Sequence, residues 1–121
     1  MYNTPMHLSD FEKHVEQALK EIPEIFRKKL ENITIEVEPE ELPFDKEQHL
    51  ILGQYRGVPW SKRGPAYQNV LPDKIIIFKK AFDRFPQEKL PDLIVNVLQH
   101  EIGHYFGMNE EELEKYKRGE I

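Results

Sequence analysis

The sequence predicts an α+β fold, with helices at the N-terminus, a short mixed sheet in the middle and a chemically loaded helix near the C-terminus. Three patterns carry this. Phe11, Val15, Ala18, Leu19 and Ile22 form an apolar stripe with helical spacing. Ile33, Ile35 and Val37 alternate with Thr34, Glu36 and Glu38, the period of a strand with one wet face. The β-branched run at residues 74–79 marks a strong strand, and residues 91–106 read as a long helix. Helices and strands follow one another in blocks instead of alternating, which separates this chain from the α/β class.

Ser9 with Glu12 three residues later has the form of a capping box, so the first helix is expected over residues 9–20, ended or bent near Pro23. A second short helix carries Ile25, Phe26 and Leu30, with Asn32 as its stop. Residues 39–47 are acidic, contain two prolines and read as a loop. Residues 50–56 form a second strand, loosened by Gly53. Residues 57–73 hold Gly57, Pro59, Gly64, Pro65 and Pro72 and are expected to be mostly irregular; a stretch of this length is commonly functional or mobile. Pro91 and Asp92 open the long helix, Gly107 ends it, and Asn109 with Glu112 caps a short terminal helix.

At 121 residues the chain suits one domain, expected to span residues 1–121, and is short for two. Its 39% hydrophobic and 32% charged content fits a globular domain, not a disordered or fibrous one. A net charge of −5 argues against a nucleic-acid partner, and Lys62, Arg63, Lys79 and Lys80 are expected on a solvated surface. Cysteine is absent, so thiolate metal sites and thiol nucleophiles are excluded, and any metal must be held by histidine and carboxylate. The first ten residues lack the basic and apolar regions of a signal peptide, and the apolar runs at 75–78 and 93–98 are too short to cross a bilayer. A cytoplasmic protein with no membrane partner is expected; the sequence leaves the oligomeric state open.

The chemistry sits at His100-Glu101-Ile102-Gly103-His104. Residues four apart on a helix are about 40° apart and one turn along the axis, so both imidazoles can face one cation. Glu101, rotated by about 100° from His100, flanks that cation and can take a proton from a metal-activated water and pass it on. This is the mechanical content of the HExxH motif. A chain this rich in glutamate produces the pattern by chance at a level of roughly a few per cent; its position inside a predicted helix lowers that figure.

Two histidines leave a tetrahedral zinc one protein ligand short, with the fourth place open for water. Gly107 can reverse the chain so that Glu110 returns toward the metal, giving His-Glu-x-x-His-x-x-Gly-x-x-Glu. The competing reading is that Glu110, like Glu111 and Glu112, complements the dipole of the terminal helix.

The string HEIGHYFGMNEEEL, within residues 98–113, resembles the small bacterial family of minimal zincin-like metallopeptidases that end shortly after an HExxHxxGxxD motif. The resemblance extends to LGQYRGVP at 52–59, to LPDKI at 71–75 and to the helical opening, so it covers nearly the whole chain. It implies a small zincin-like domain, zinc at His100, His104 and Glu110, a catalytic Glu101 and a peptide or protein substrate. One departure stands: the family usually has Asp where this chain has Glu110, and the extra methylene requires a small adjustment. With few residues after Glu110, the site is expected to be open and shallow, and Met108 to pack instead of forming a turn beneath the metal.

His7, His14 and His49 have no partner at ligand spacing and are expected to be surface or structural. Tyr105, Tyr116 and Arg56 can in principle steady an oxyanion, against a simpler reading in which Tyr105 packs and Arg56 is solvated. Gly103 reads as a close-packing position, and Trp60 either covers apolar surface or contacts substrate. The leading functional reading is a zinc peptidase with Glu101 as general base, its extended substrate lying antiparallel to an edge strand at residues 74–79. Two others stand beside it: a non-catalytic metal- or peptide-binding module on the same fold, and a zinc hydrolase of a non-peptide amide or ester. A di-iron bundle is not expected, because it requires four long helices and paired Glu-x-x-His motifs.

Overall fold

Phe11, Val15 and Ala18 turn one side of α1 (Leu8–Lys20) into the core, as their spacing requires. The computed structural model describes residues 4–27, 30, 33–57 and 73–120. The helix starts earlier than the Ser9–Glu12 pattern predicts. His7 holds the cap position, no side chain caps it, and the His7 carbonyl accepts the Phe11 amide at 2.9 Å. Ser9 therefore lies inside the first turn, where its hydroxyl is too late to cap. A short α2 (Glu24–Arg27) follows; Asn32 lies outside the described residues.

Three strands form one mixed sheet in the order β1-β3-β2. β1 (Ile33–Glu38) pairs parallel with β3 (Asp73–Phe78), and β2 (Gly53–Arg56) pairs antiparallel with it. The strand expected at an edge is thus the central one. Its sequence explains why: Ile75, Ile76, Ile77 and Phe78 are all buried, and a continuous apolar run is what a strand covered on both faces needs. Ile75 and Ile77 meet α1 and the helix after the sheet, while Ile76 and Phe78 meet Leu42, Leu50, Ile51 and Leu52. β2 is shorter than residues 50–56; Leu50 makes only an isolated bridge with Phe44.

Lys79 is not on a solvated surface. It opens α3 (Lys79–Phe82), which carries Ala81 and Phe82 into the core, and its buried ammonium is paired with Asp83 at 3.0 Å. Lys62, Arg63 and Trp60 lie outside the described residues. Phe82 meets Phe11 edge-on at 5.3 Å, tying α3 to α1.

A 3-10 turn (Gln87–Lys89) leads into α4 (Leu90–Phe106), with Pro91 in the first turn, where its missing N–H costs nothing. Gly107, at φ 76°, ends α4 in the left-handed conformation. The Gly107 amide donates to the His104 carbonyl and that of Met108 to the Gly103 carbonyl, satisfying the last turn. The predicted capping box is then present in full at the start of α5 (Glu110–Lys117). Asn109 Oδ1 accepts the Glu112 amide at 2.8 Å, and Glu112 Oε1 accepts the Asn109 amide at 3.2 Å. Gly103 lets α5 close on α4: a Cβ there lies 2.5 Å from Leu113 Cδ1. Among the described residues, no helix is long and apolar enough to cross a membrane.

Candidate metal centre

His100 and His104 face the same way from α4, with their Nε2 atoms 3.0 Å apart. For that contact to be a hydrogen bond, one ring nitrogen must donate and the other, on a neutral ring, must accept. Two imidazoliums would repel. Glu101 joins them: one ligand atom from each of His100, Glu101 and His104 lies within 4.8 Å of the other two. A tetrahedral zinc with bonds of about 2.0–2.1 Å places its nitrogen donors roughly 3.3 Å apart, so a small opening of the two rings admits the ion. The donor set, two imidazoles and no thiolate, suits zinc as well.

Glu101 is 7% exposed and is gripped by the sheet: its Oε1 accepts the Tyr55 amide at 3.0 Å. The reason lies in the ladder. Along an antiparallel pair only alternate residues turn their backbone groups toward the partner strand. The Leu52 carbonyl accepts the Phe78 amide at 2.9 Å, so Leu52 belongs to the inward set, and Gly53 and Tyr55 present their backbone to the α4 side. Gly53 makes the approach possible, since a Cβ there lies 2.7 Å from Val97 Cγ1 and 3.4 Å from Glu101 Cγ. Burial pushes the Glu101 carboxyl above its ordinary value, and the nearby His104 charge and the Tyr55 amide offset part of that rise.

The Tyr55 ring points into the sheet's end. Its hydroxyl donates to Asp73 Oδ2 at 2.8 Å, and the ring stands edge-on to Tyr105 with centroids 5.8 Å apart. Asp73 is 4% exposed. A Cβ on Gly57 would lie 2.6 Å from both the Asp73 carboxyl and the Tyr55 hydroxyl.

Between β2 and α4 runs a cleft with Glu101 at its middle. On the His100 side a pocket of about 420 Å³ is walled by Leu50, Ile51, Leu52, Leu93, Asn96 and Val97. On the His104 side a second pocket of about 400 Å³ is walled by Gln54, Tyr55 and Gly57. Ile51, Gly53 and Glu101 line both.

The other candidates lie outside that cluster. Glu110 is exposed as the first residue of α5 and is not in the cluster, which among the described residues comprises His100, Glu101 and His104. His7 holds the N-terminal cap position of α1 through its backbone, His14 lies within α1, and His49 is exposed beside Asp45 at 3.3 Å. Tyr105 packs, as the simpler reading has it, and Arg56 is exposed with its Nε donating to Gln54 at 3.0 Å. Tyr116 is buried edge-on to Phe26 at 4.8 Å, and burial pushes its phenol pKa up. Sequence reasoning missed Tyr55 and Asp73 as part of the site. Gly53 gave a signal, because an isolated glycine in a strand often marks close backbone approach.

An α+β domain that offers an HExxH cluster from one helix beside a sheet edge defines the zincin class of metal-dependent hydrolases. The family model described as zincin-like metallopeptidase matches residues 30–120 of the 121, and the chain belongs to that family. No curated protein matches it.

Proposed function

We propose that this protein is a zinc-dependent peptidase that cleaves extended peptide segments laid along β2. The observation that carries the reading is the convergence of His100, His104 and buried Glu101 beneath an edge strand whose backbone is turned toward them. His100 and His104 would hold the zinc, with Glu110, three residues beyond the left-handed Gly107, as third ligand. Zinc bound there supplies Lewis acidity that polarises the scissile carbonyl and favours water as a nucleophile near neutral pH.

Glu101 takes the proton of the attacking water on its carboxylate and delivers it to the leaving amide nitrogen. A glutamate whose pKa is raised by burial is suited to both halves of that task. The substrate backbone adds as a strand against the outward groups of β2. β2 and α4 run side by side in the same direction, from the Leu50–Leu93 end to the Gly57–His104 end. An antiparallel substrate therefore places the residue after its scissile bond in the pocket walled by Leu50, Leu52, Leu93 and Val97. Apart from His100 and Glu101, that pocket's described lining carries no charged side chain, so an apolar residue is the expected occupant.

The test is zinc-loaded wild type against a diverse peptide library, with cut sites read by mass spectrometry, beside Glu101→Gln. The variant should keep its zinc and lose turnover by about 10²–10⁴-fold. Undiminished hydrolysis would remove Glu101 from the mechanism. In the same preparations, Glu110→Ala should weaken zinc binding; unchanged affinity assigns Glu110 to the α5 dipole alone.

A further inference from the structure

We infer that the Tyr55–Asp73 pair is a positioning device for Glu101, fixing the strand amide that holds the catalytic carboxylate. The role given to Glu101 rests on the peptidase reading; the placement of the amide does not.

β2 has only four residues and lies at an edge, so its ladder to β3 alone holds it loosely. Tyr55 corrects this by linking two bonds through one residue. Its amide donates to Glu101 Oε1, and its hydroxyl donates to Asp73 Oδ2. Asp73 is a firm reference, because it opens the central strand and is in register with Ile33 of β1. The third point is Tyr105, which follows His104 on α4 and meets the Tyr55 ring edge-on. The ring is thus braced against the sheet and the active-site helix together.

A carboxylate buried at a strand end is costly unless bonded, and Asp73 accepts the Tyr55 hydroxyl there. That bond ends on the same residue whose amide holds Glu101, so it ties the amide to the central strand. Gly57 completes the arrangement. Any side chain there would push into both Tyr55 Oη and the Asp73 carboxyl, so only glycine lets the bond close.

The test compares wild type with Tyr55→Phe, which removes one hydroxyl, and with Asp73→Asn, which keeps an acceptor oxygen. Amide hydrogen exchange in the metal-free protein is read at residues 54, 55 and 56. Gln54 and Arg56 turn their amides to β3, so they report general loosening of the strand, whereas residue 55 reports the bond to Glu101. In Tyr55→Phe the amide of residue 55 should exchange about tenfold faster, a change on the scale of one hydrogen bond, with residues 54 and 56 within about twofold. With zinc bound, kcat should fall about tenfold at nearly constant KM and unchanged zinc stoichiometry. Asp73→Asn, which keeps the acceptor, should retain most of the wild-type value of both, and Asp73→Leu should behave like Tyr55→Phe. Equal acceleration at all three amides, or none at residue 55, overturns the proposal by showing a merely structural bond or none that matters. If wild type cleaves no peptide, the peptidase reading falls while the exchange data still decide whether the pair fixes the amide.

Discussion

Glu101 concentrates the energetic tension of the molecule in one residue. Its carboxyl is buried, and burial raises its pKa more than the His104 charge and the Tyr55 amide lower it. In the metal-free protein the folded state therefore binds this proton more tightly than the unfolded state does. Its contribution to stability is complete below the unfolded value, about 4.3. The contribution is lost as pH rises through the higher folded value. Glu101→Gln removes the ionisation, so in chelator the variant should melt above wild type at neutral pH, and the gap should close near pH 4. Thermal melts at the two pH values check this; a wild type that gains on the variant as pH rises contradicts it. The HExxH residues were legible in the sequence because their relation is local: spacing on one helix determines which way the imidazoles face. Glu110 lies beyond a chain reversal, where spacing no longer determines direction, so the motif alone does not place its carboxylate at the metal.

Among the elements, the pieces governed by short-range chemistry were the readable ones. Asn109 and Glu112 form the capping box their spacing predicts, and Gly107 ends α4 in the left-handed conformation that glycine favours. Ser9 and Glu12 show the same spacing without the geometry, because α1 had already begun at Leu8. Residues 75–78 carry the pattern of a strand buried on both faces, and that pattern argues for the centre of a sheet and against the edge position that the substrate reading expects. Which strand lies at the edge follows from long-range pairing, and β2 takes that place. Element packing also gives a firm prediction at Gly103. A methyl there falls 2.5 Å from Leu113 Cδ1, so Gly103→Ala should push α5 from α4. The gain in helix propensity, up to about 1 kcal/mol, offsets only part of the overpacking cost of about 1–3 kcal/mol. A melting temperature several degrees below wild type is expected. A variant at least as stable would mean that α5 is not seated on α4 through this contact.

For the molecule as a whole, the site is an assembly of chain-distant parts. Tyr55 and Glu101 are 46 positions apart, and Asp73 reaches the same place from the central strand. No local period encodes such a meeting, which is why the strand side of the cleft was invisible in the sequence while its helix side was plain. The α+β layout was legible because amphipathic stripes and alternating runs report which surfaces are buried; the order β1-β3-β2 was not, because burial does not name the neighbour. The cleft between β2 and α4 follows from that order, and so does the proposal that a peptide enters as a further strand.

Zinc content decides whether this arrangement is a metal centre at all. Elemental analysis of purified wild type beside His104→Ala should find one zinc per chain in the first and essentially none in the second. His104 is exposed, so the metal-free variant should melt within about 2 °C of the metal-free wild type, separating lost ligation from lost folding. A His104→Ala protein that keeps its full complement of zinc, or a wild type that binds none when zinc is supplied, would show that His100, Glu101 and His104 converge for some other purpose.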